Sequence, residues 1–123
     1  MIRMLVVDDE IDICDFVKNF FEERNYTVFT ALNGSEALRI ARKEKPNLIL
    51  LDIRMKEMDG IETLRKIREF DKDVKVLMVT AVEDQKNMNA ARKLGACEYI
   101  TKPLVLEDLE AKVSSHVKEV KHA

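Results

Sequence analysis

Apolar residues in this chain fall into short continuous runs, separated by segments in which they recur every three or four positions. Residues 4–7, 48–51 and 76–79 are almost purely Ile, Val, Leu and Met. Runs of this kind are typical of strands that are buried on both faces. Residues 27–31 and 97–101 carry aromatic or β-branched side chains and are predicted to be the second and fifth strands.

Five segments with helical spacing lie between or after these strands. Their apolar positions are Ile11, Cys14, Val17 and Phe21; Ala37, Leu38 and Ala41; Ile61, Leu64 and Ile67; Met88, Ala91 and Leu94; and Leu106, Leu109 and Val113. Asn33 is placed to cap the second helix, Asp59 and Gly60 to open the third, and Gly95 to close the fourth. This strict alternation predicts an α/β fold, with a doubly wound five-stranded parallel sheet and five helices in one domain over residues 1–123.

Composition and charge narrow the function classes. The chain is 46% hydrophobic and 36% charged, which is typical of a globular domain. Its net charge of −2 gives no reason to expect binding to nucleic acid or to an anionic membrane surface. No apolar run is long enough to span a bilayer. We therefore expect a cytoplasmic protein in which Cys14 and Cys97 are reduced and pack as small apolar residues.

Polar residues follow the predicted strands where ligands of parallel sheets collect, at the carboxyl ends. They are Asp8, Asp9, Asp52, Thr80 and Lys102. Three carboxylates brought together would repel one another, so the pocket should attract a cation, and Mg²⁺ prefers carboxylate oxygens together with a phosphate oxygen. A carboxylate nucleophile that forms an acyl phosphate, with an ammonium nearby, is the chemistry that these groups suggest.

Four motifs resemble the receiver domains of two-component response regulators, and the resemblance runs essentially end to end. The motifs are VVDDE at residues 6–10, LLDIRM at 50–55 with MDG at 58–60, VTA at 79–81, and GA at 95–96 with YITKP at 99–103. The resemblance, which includes chemotaxis-type regulators, implies a flavodoxin-like (βα)5 fold with strand order 2-1-3-4-5.

The resemblance also implies roles for the site residues. Asp52 would be the phosphoacceptor, and Asp9, Asp52 and the backbone carbonyl of Arg54 would hold Mg²⁺, with Asp8 acting largely through water. Mn²⁺ is expected to be able to substitute. Thr80 and Lys102 would contact the phosphoryl oxygens. A receiver of this kind assists its own phosphorylation and dephosphorylation but is not an enzyme that turns over a separate substrate.

Phosphorylation would change a surface on the fourth helix, fifth strand and fifth helix, within residues 84–118, as Thr80 and Tyr99 reposition. The expected partners are a histidine kinase or a His-containing phosphotransfer protein, and a downstream effector or output domain. The unphosphorylated chain is expected to be a monomer. The Lys102-Pro103 bond resembles a family position that is commonly cis. Whether the chain acts alone, as a relay intermediate or as part of a longer protein stays open.

Three positions either depart from the family pattern or are particular to this chain. Lys56 stands where the family often has Pro, which puts the shape of that loop in doubt. Arg54 and Val82 resemble positions that tune dephosphorylation, and a long cationic side chain with an apolar one predicts a persistent phosphoryl group.

Other interpretations of the same residues remain. The acidic triplet at residues 8–10 taken alone is typical of a helix start, and His116 and His122 are expected to be solvated. A flavodoxin-like cofactor module would not place three acids where a phosphate should bind. A small Mg²⁺-dependent aspartate-nucleophile phosphatase would have a second Asp at the position of Arg54. A receiver-like interaction module that takes no phosphate usually lacks an acid, the Thr or the Lys, and all are present.

Overall fold

The structure, a computed structural model, describes residues 1–80 and 85–120. The strands are β1 (Arg3–Val7), β2 (Thr27–Ala31), β3 (Leu48–Asp52), β4 (Lys75–Thr80) and β5 (Glu98–Thr101). The helices are α1 (Ile11–Glu22), α2 (Gly34–Glu44), α3 (Gly60–Phe70), α4 (Gln85–Lys93) and α5 (Leu106–Val120). No helix among the described residues is both long enough and apolar enough to cross a membrane.

All five strands are parallel and lie in the order β2-β1-β3-β4-β5, which confirms the predicted sheet. Val7 pairs with Leu51, and Thr80 pairs with Thr101, so the carboxyl ends of neighbouring strands lie side by side. Because of this register, residues that directly follow the strands share one edge of the sheet.

The helices cover both faces of the sheet. Leu5 and Val7 of β1 belong to one buried cluster, which also contains residues of α2, α3 and α4. Met4 and Val6 belong to a second cluster, built with α1 and α5. Successive side chains of a strand point to opposite faces, so the continuous apolar run in β1 supplies both clusters.

The ends of α2, α3 and α4 lie at the capping residues that the sequence predicts. The side chains of Asn33 and Asp59 each accept a hydrogen bond, 2.8 Å long, from the backbone amide three residues on, and so cap α2 and α3. Gly95 follows α4 with φ +83°. Glu10 precedes α1 without a side-chain cap, so the acidic triplet does not serve α1 in that way.

Candidate functional site

Residues from three strand ends meet at Lys102. Its Nζ lies 3.0 Å from Asp8 Oδ2 and 3.0 Å from Asp52 Oδ2. Both carboxylates are buried, with 3% of Asp8 and 4% of Asp52 exposed. The structure therefore brings together residues that are 94 and 50 positions apart in the sequence.

The buried charges do not balance. Burial raises the pKa of the Asp52 carboxyl, Lys102 acts against that rise, and Asp8 adds to it. Burial acts to lower the pKa of Lys102, but its hydrogen bonds and charge interactions with Asp52 and Asp8 outweigh burial and raise it. One ammonium is thus shared by two carboxylates, which leaves an excess of negative charge that a cation would relieve.

Asp9 and Glu10 extend the acidic group into solvent. One carboxylate oxygen from each of Asp8, Asp9 and Glu10 lies within 4.8 Å of the others. The Glu10 backbone amide also donates to Asp8 Oδ1 at 2.9 Å, which fixes the orientation of that buried carboxylate. The donors are all oxygens, so they fit a hard divalent cation such as Mg²⁺. Glu10 was not among the predicted ligands, because an acid at this position is typical of the start of a helix.

The loop after Asp52 is held on both sides. The Arg54 backbone amide donates to Asp52 Oδ1 at 3.2 Å, and the Ile53 amide donates to the Val79 carbonyl at 2.9 Å. The Gly60 amide donates to the Ile53 carbonyl at 2.7 Å. A Cβ at Gly60 would lie closer than 3.0 Å to backbone atoms of Asp52 and Ile53, so this approach requires glycine.

An open cavity of about 410 Å³ adjoins these acids. Its lining residues are Asp9, Ile53, Arg54, Met55, Lys56, Asp59 and Asn87. Asp59 was predicted only as a helix cap, and Asn87 lies in a polar helix without a recognisable motif. The sequence therefore offered no signal that either side chain would face the same space as Asp9 and Arg54.

Thr80 and Tyr99 lie on neighbouring strands beside the site. Thr80 is 3% exposed, and its carbonyl accepts a hydrogen bond of 2.7 Å from the Lys102 amide. The Tyr99 side chain is half-buried, and its hydroxyl is buried without a hydrogen-bond partner among the described residues. The predicted tuning residue Val82 and the edge of the predicted output surface at Asp84 lie outside the described residues.

The structure also bears on the predictions for the histidines, the Lys102-Pro103 bond and the cysteines. The expectation that His116 is solvated was wrong, because α5 packs on β5: the His116 side chain is 16% exposed, and its Nε2 lies 3.5 Å from a Glu98 carboxylate oxygen. His122 lies outside the described residues. The Lys102-Pro103 bond is cis, as the resemblance implied. Cys14 and Cys97 are both free, the first buried and the second partly so.

Comparison with known protein families gives one match that covers most of the chain. A model of the response regulator receiver domain matches residues 4–114. The sporulation initiation phosphotransferase F of Bacillus subtilis is 32% identical over 115 residues, covering 94% of this chain and 93% of that protein. Three further curated relatives are transcriptional regulators, and the chain spans only 50%, 47% and 26% of their lengths.

Solved structures agree with the family match. A CheY-like receiver domain protein of Methanospirillum hungatei has a TM-score of 0.94 and 32% identity, covering 100% of this chain and 99% of that one. The response regulator TrrA of Thermotoga maritima, solved in complex with Mg²⁺ and BeF, has a TM-score of 0.85 and 34% identity. That match covers 94% of this chain and 99% of TrrA.

Proposed function

Because this chain belongs to the response regulator receiver domain family, we propose that it accepts a phosphoryl group on Asp52 and switches a surface in response. The observation that carries the proposal is the buried arrangement in which Lys102 Nζ lies 3.0 Å from both Asp52 and Asp8. A buried carboxylate at a strand end, next to an ammonium and further acids, is suited to phosphoryl transfer.

In the proposed reaction a carboxylate oxygen of Asp52 attacks the phosphorus of a phosphohistidine. The new P–O bond forms as the P–N bond breaks, and the imidazole nitrogen leaves with the electron pair. Asp52 thereby becomes an acyl phosphate, and its former partner Lys102 is placed to donate to a phosphoryl oxygen. The Thr80 hydroxyl would contact another oxygen of the same group.

The acidic group would hold Mg²⁺ through Asp9, Asp52 and the Arg54 carbonyl, with Asp8 acting largely through water. The cluster of carboxylate oxygens from Asp8, Asp9 and Glu10 supports a cation at this position, as does the solved complex of TrrA with Mg²⁺ and BeF. Glu10 joins the candidates because its carboxylate lies in the same group. The bound ion would neutralise charge that develops on the phosphoryl oxygens, and Mn²⁺ would substitute for it.

The switch is proposed as an existing equilibrium between two conformations, which the phosphoryl group shifts by contacting one of them better. Thr80 and Tyr99 are the proposed moving residues, since they lie on neighbouring strands and Thr80 is joined to the Lys102 backbone. The changed surface would comprise α4, β5 and α5. This chain would act in the cytoplasm, where a histidine kinase or a His-containing phosphotransfer protein would supply the phosphoryl group. An effector or output domain would bind the changed surface, and the unphosphorylated chain would be a monomer.

Arg54 is proposed to prolong the phosphorylated state. Arg54 lines the same cavity as Asp9, and a long side chain there would restrict water that approaches the acyl phosphate. Val82, assigned to the same role by position, is kept as part of the proposal. No observation favours the phosphatase or the phosphate-independent module, since Arg54 stands where the phosphatase needs its second acid and all the acids, Thr80 and Lys102 are present.

The test is the intact mass of the protein after incubation with acetyl phosphate, with and without Mg²⁺. We expect the wild type to gain one phosphoryl group only with Mg²⁺, and Asp52→Asn to gain none. Asp9→Asn should lose most of the gain, whereas the control Asp12→Asn, an exposed acid on α1 outside the acidic group, should behave as wild type. A wild type that stays unmodified under every condition would contradict the proposal, and repeated turnover of the donor would favour the phosphatase.

A further inference from the structure

Arg68, near the end of α3, joins two connections of the chain through four backbone carbonyls. Its Nε donates to the Leu94 carbonyl at 2.7 Å, and its Nη2 donates to the Gly95 carbonyl at 3.1 Å. Its Nη1 donates to the carbonyls of Val74 at 2.8 Å and Asp71 at 3.3 Å. The planar guanidinium can serve several acceptors at once, and bonds from a charged donor are stronger than neutral ones.

The two carbonyls at 94 and 95 come directly after α4, where a helix cannot satisfy its own acceptors. The helix closes with paired bonds of 3.0 Å, from the Ala96 amide to the Ala91 carbonyl and from the Gly95 amide to the Arg92 carbonyl. These bonds, with Gly95 at φ +83°, form a Schellman ending. Arg68 therefore supplies donors that the ending itself leaves out.

The other end of α4 lies at the candidate site. Asn87, two residues after the start of the helix, lines the same cavity as Asp9 and Arg54. A helix of nine residues is about 13 Å long and moves as a stiff body. Thus one end of α4 is placed to sense the site, while the other is fastened to α3 and to the connection before β4.

We infer that Arg68 is a positioning residue that makes the segment Leu94–Gly95 the fixed pivot of α4. Phosphorylation of Asp52, or binding of beryllium fluoride in its place, then displaces the end of α4 that carries Asn87. The end at Gly95 stays in place. The inference rests on the proposed function, because the displacement is a response to phosphorylation. With its far end fastened by Arg68, α4 would convert a change at the site into rotation of the face that carries this helix.

The experiment is residue-resolved amide hydrogen exchange on the full chain, alone and loaded with Mg²⁺ and beryllium fluoride. The variants are Arg68→Met, Arg68→Lys and the control Arg65→Met. Within the described parts of the chain, the ion pair of Arg65 is with Glu62, 2.6 Å away on the same helix. In unloaded protein, Arg68→Met should accelerate exchange at residues 94–96 by about tenfold or more, since a fastened helix end is released. Arg68→Lys should give an intermediate acceleration at these residues, and Arg65→Met should give no acceleration.

Loading should change exchange in wild type at residues 86–89 and leave residues 92–96 unaltered. In Arg68→Met the change should spread along all of α4. Equal exchange at 94–96 in Arg68→Met and Arg65→Met would overturn the claim that Arg68 fastens this end of α4. If loading changes exchange in the wild type as much at 92–96 as at 86–89, Leu94–Gly95 is not a fixed pivot. Failure of the wild type to bind beryllium fluoride would count against the proposed function, and the displacement with it, while the unloaded comparison still decides whether Arg68 fastens the end of α4.

Discussion

The backbone of Gly60 runs against the strand end that carries Asp52, and the two are too close for a side chain between them. Gly60→Ala should therefore lower the free energy of unfolding by about 1–3 kcal/mol, since the added methyl meets backbone that can move only with β3. Gly34→Ala is the comparison, because its methyl would meet side-chain atoms of Thr63 and Met58 and no backbone atom among its three nearest neighbours. Urea denaturation of both variants measures the difference, and equal losses would show that the approach at Gly60 can relax.

The Cys97 thiol should make stability depend on alkaline pH. Burial raises its pKa above the ordinary 9.0, and the nearby Lys75 acts against that rise. In the unfolded chain the thiol loses its proton near pH 9, while the folded protein retains it, so the stability due to this group is present below pH 9 and lost above it. The loss cannot exceed about 1.4 kcal/mol per pH unit for one proton.

The measurement for Cys97 is the free energy of unfolding from pH 8 to 10, in wild type and in Cys97→Ser. The serine keeps a donor for the Val76 carbonyl, which the Cys97 thiol contacts at 3.5 Å, and does not titrate in this range. The wild-type curve should fall more steeply above pH 9 than the variant curve. Parallel curves would show that the thiol has the same pKa in both states.

Single residues differ in how well the sequence predicted their surroundings. Asp8, Asp52 and Lys102 could be assigned to one site because each directly follows a predicted strand, and parallel strands end at one edge. Arg68 could not be interpreted in the same way, since an arginine at the end of a helical pattern is usually solvated. Its acceptors are backbone carbonyls, which every residue possesses, so no side chain marked them in advance.

At the level of elements, the end of α2 has a backbone conformation that lowers the stability of the fold. Lys45 follows the helix with φ 47° and ψ 62°, a left-handed conformation that favours glycine. Lys45→Gly should raise the free energy of unfolding by about 0.5–1 kcal/mol, which is the relief of the left-handed penalty less the extra entropy of glycine in the unfolded chain. Thermal and urea unfolding should both show the gain.

Asn25→Gly provides the comparison for Lys45→Gly. Asn25 has φ 70°, but asparagine tolerates this region better than lysine, so its replacement should give a smaller gain. A larger gain at 25 than at 45 would show that lysine bears no greater left-handed penalty at position 45 than asparagine bears at position 25.

The boundaries of a strand could be predicted where the run of apolar, aromatic and β-branched residues has clear ends. β2 begins and ends at residues 27 and 31, as predicted. β5 begins at Glu98, one residue later than predicted, although the Cys97 amide still donates to the Val76 carbonyl at 2.9 Å. Cys97 is partly buried in the segment before β5, and burial alone cannot distinguish a strand residue from the residue before it.

At the scale of the whole molecule, Lys102 connects three strands through two buried carboxylates. Lys102→Met should lower the free energy of unfolding by up to about 3 kcal/mol, because Asp8 and Asp52 would then face each other without a counter-charge. The double variant Lys102→Met with Asp52→Asn should recover part of this loss. Denaturation in metal-free buffer measures both.

Lys112→Met is the matched control for Lys102→Met. Its ammonium lies 3.9 Å from Glu98 and donates to the Tyr99 carbonyl at 3.3 Å, and the side chain is 41% exposed, so the change should stay within about 1 kcal/mol. A double variant no more stable than Lys102→Met alone would show that repulsion between the two carboxylates is not what destabilises the single variant.

The two-faced burial of β1 also limits how the length of this chain can vary over evolutionary time. One residue inserted or deleted within β1 would exchange the side chains of the two clusters and carry Asp8 away from Lys102. A substitution alters only one cluster. Descendants of this sequence should therefore tolerate insertions at the edge of the sheet opposite the acidic group, where helices lead into strands, and should diverge within β1 by replacement alone.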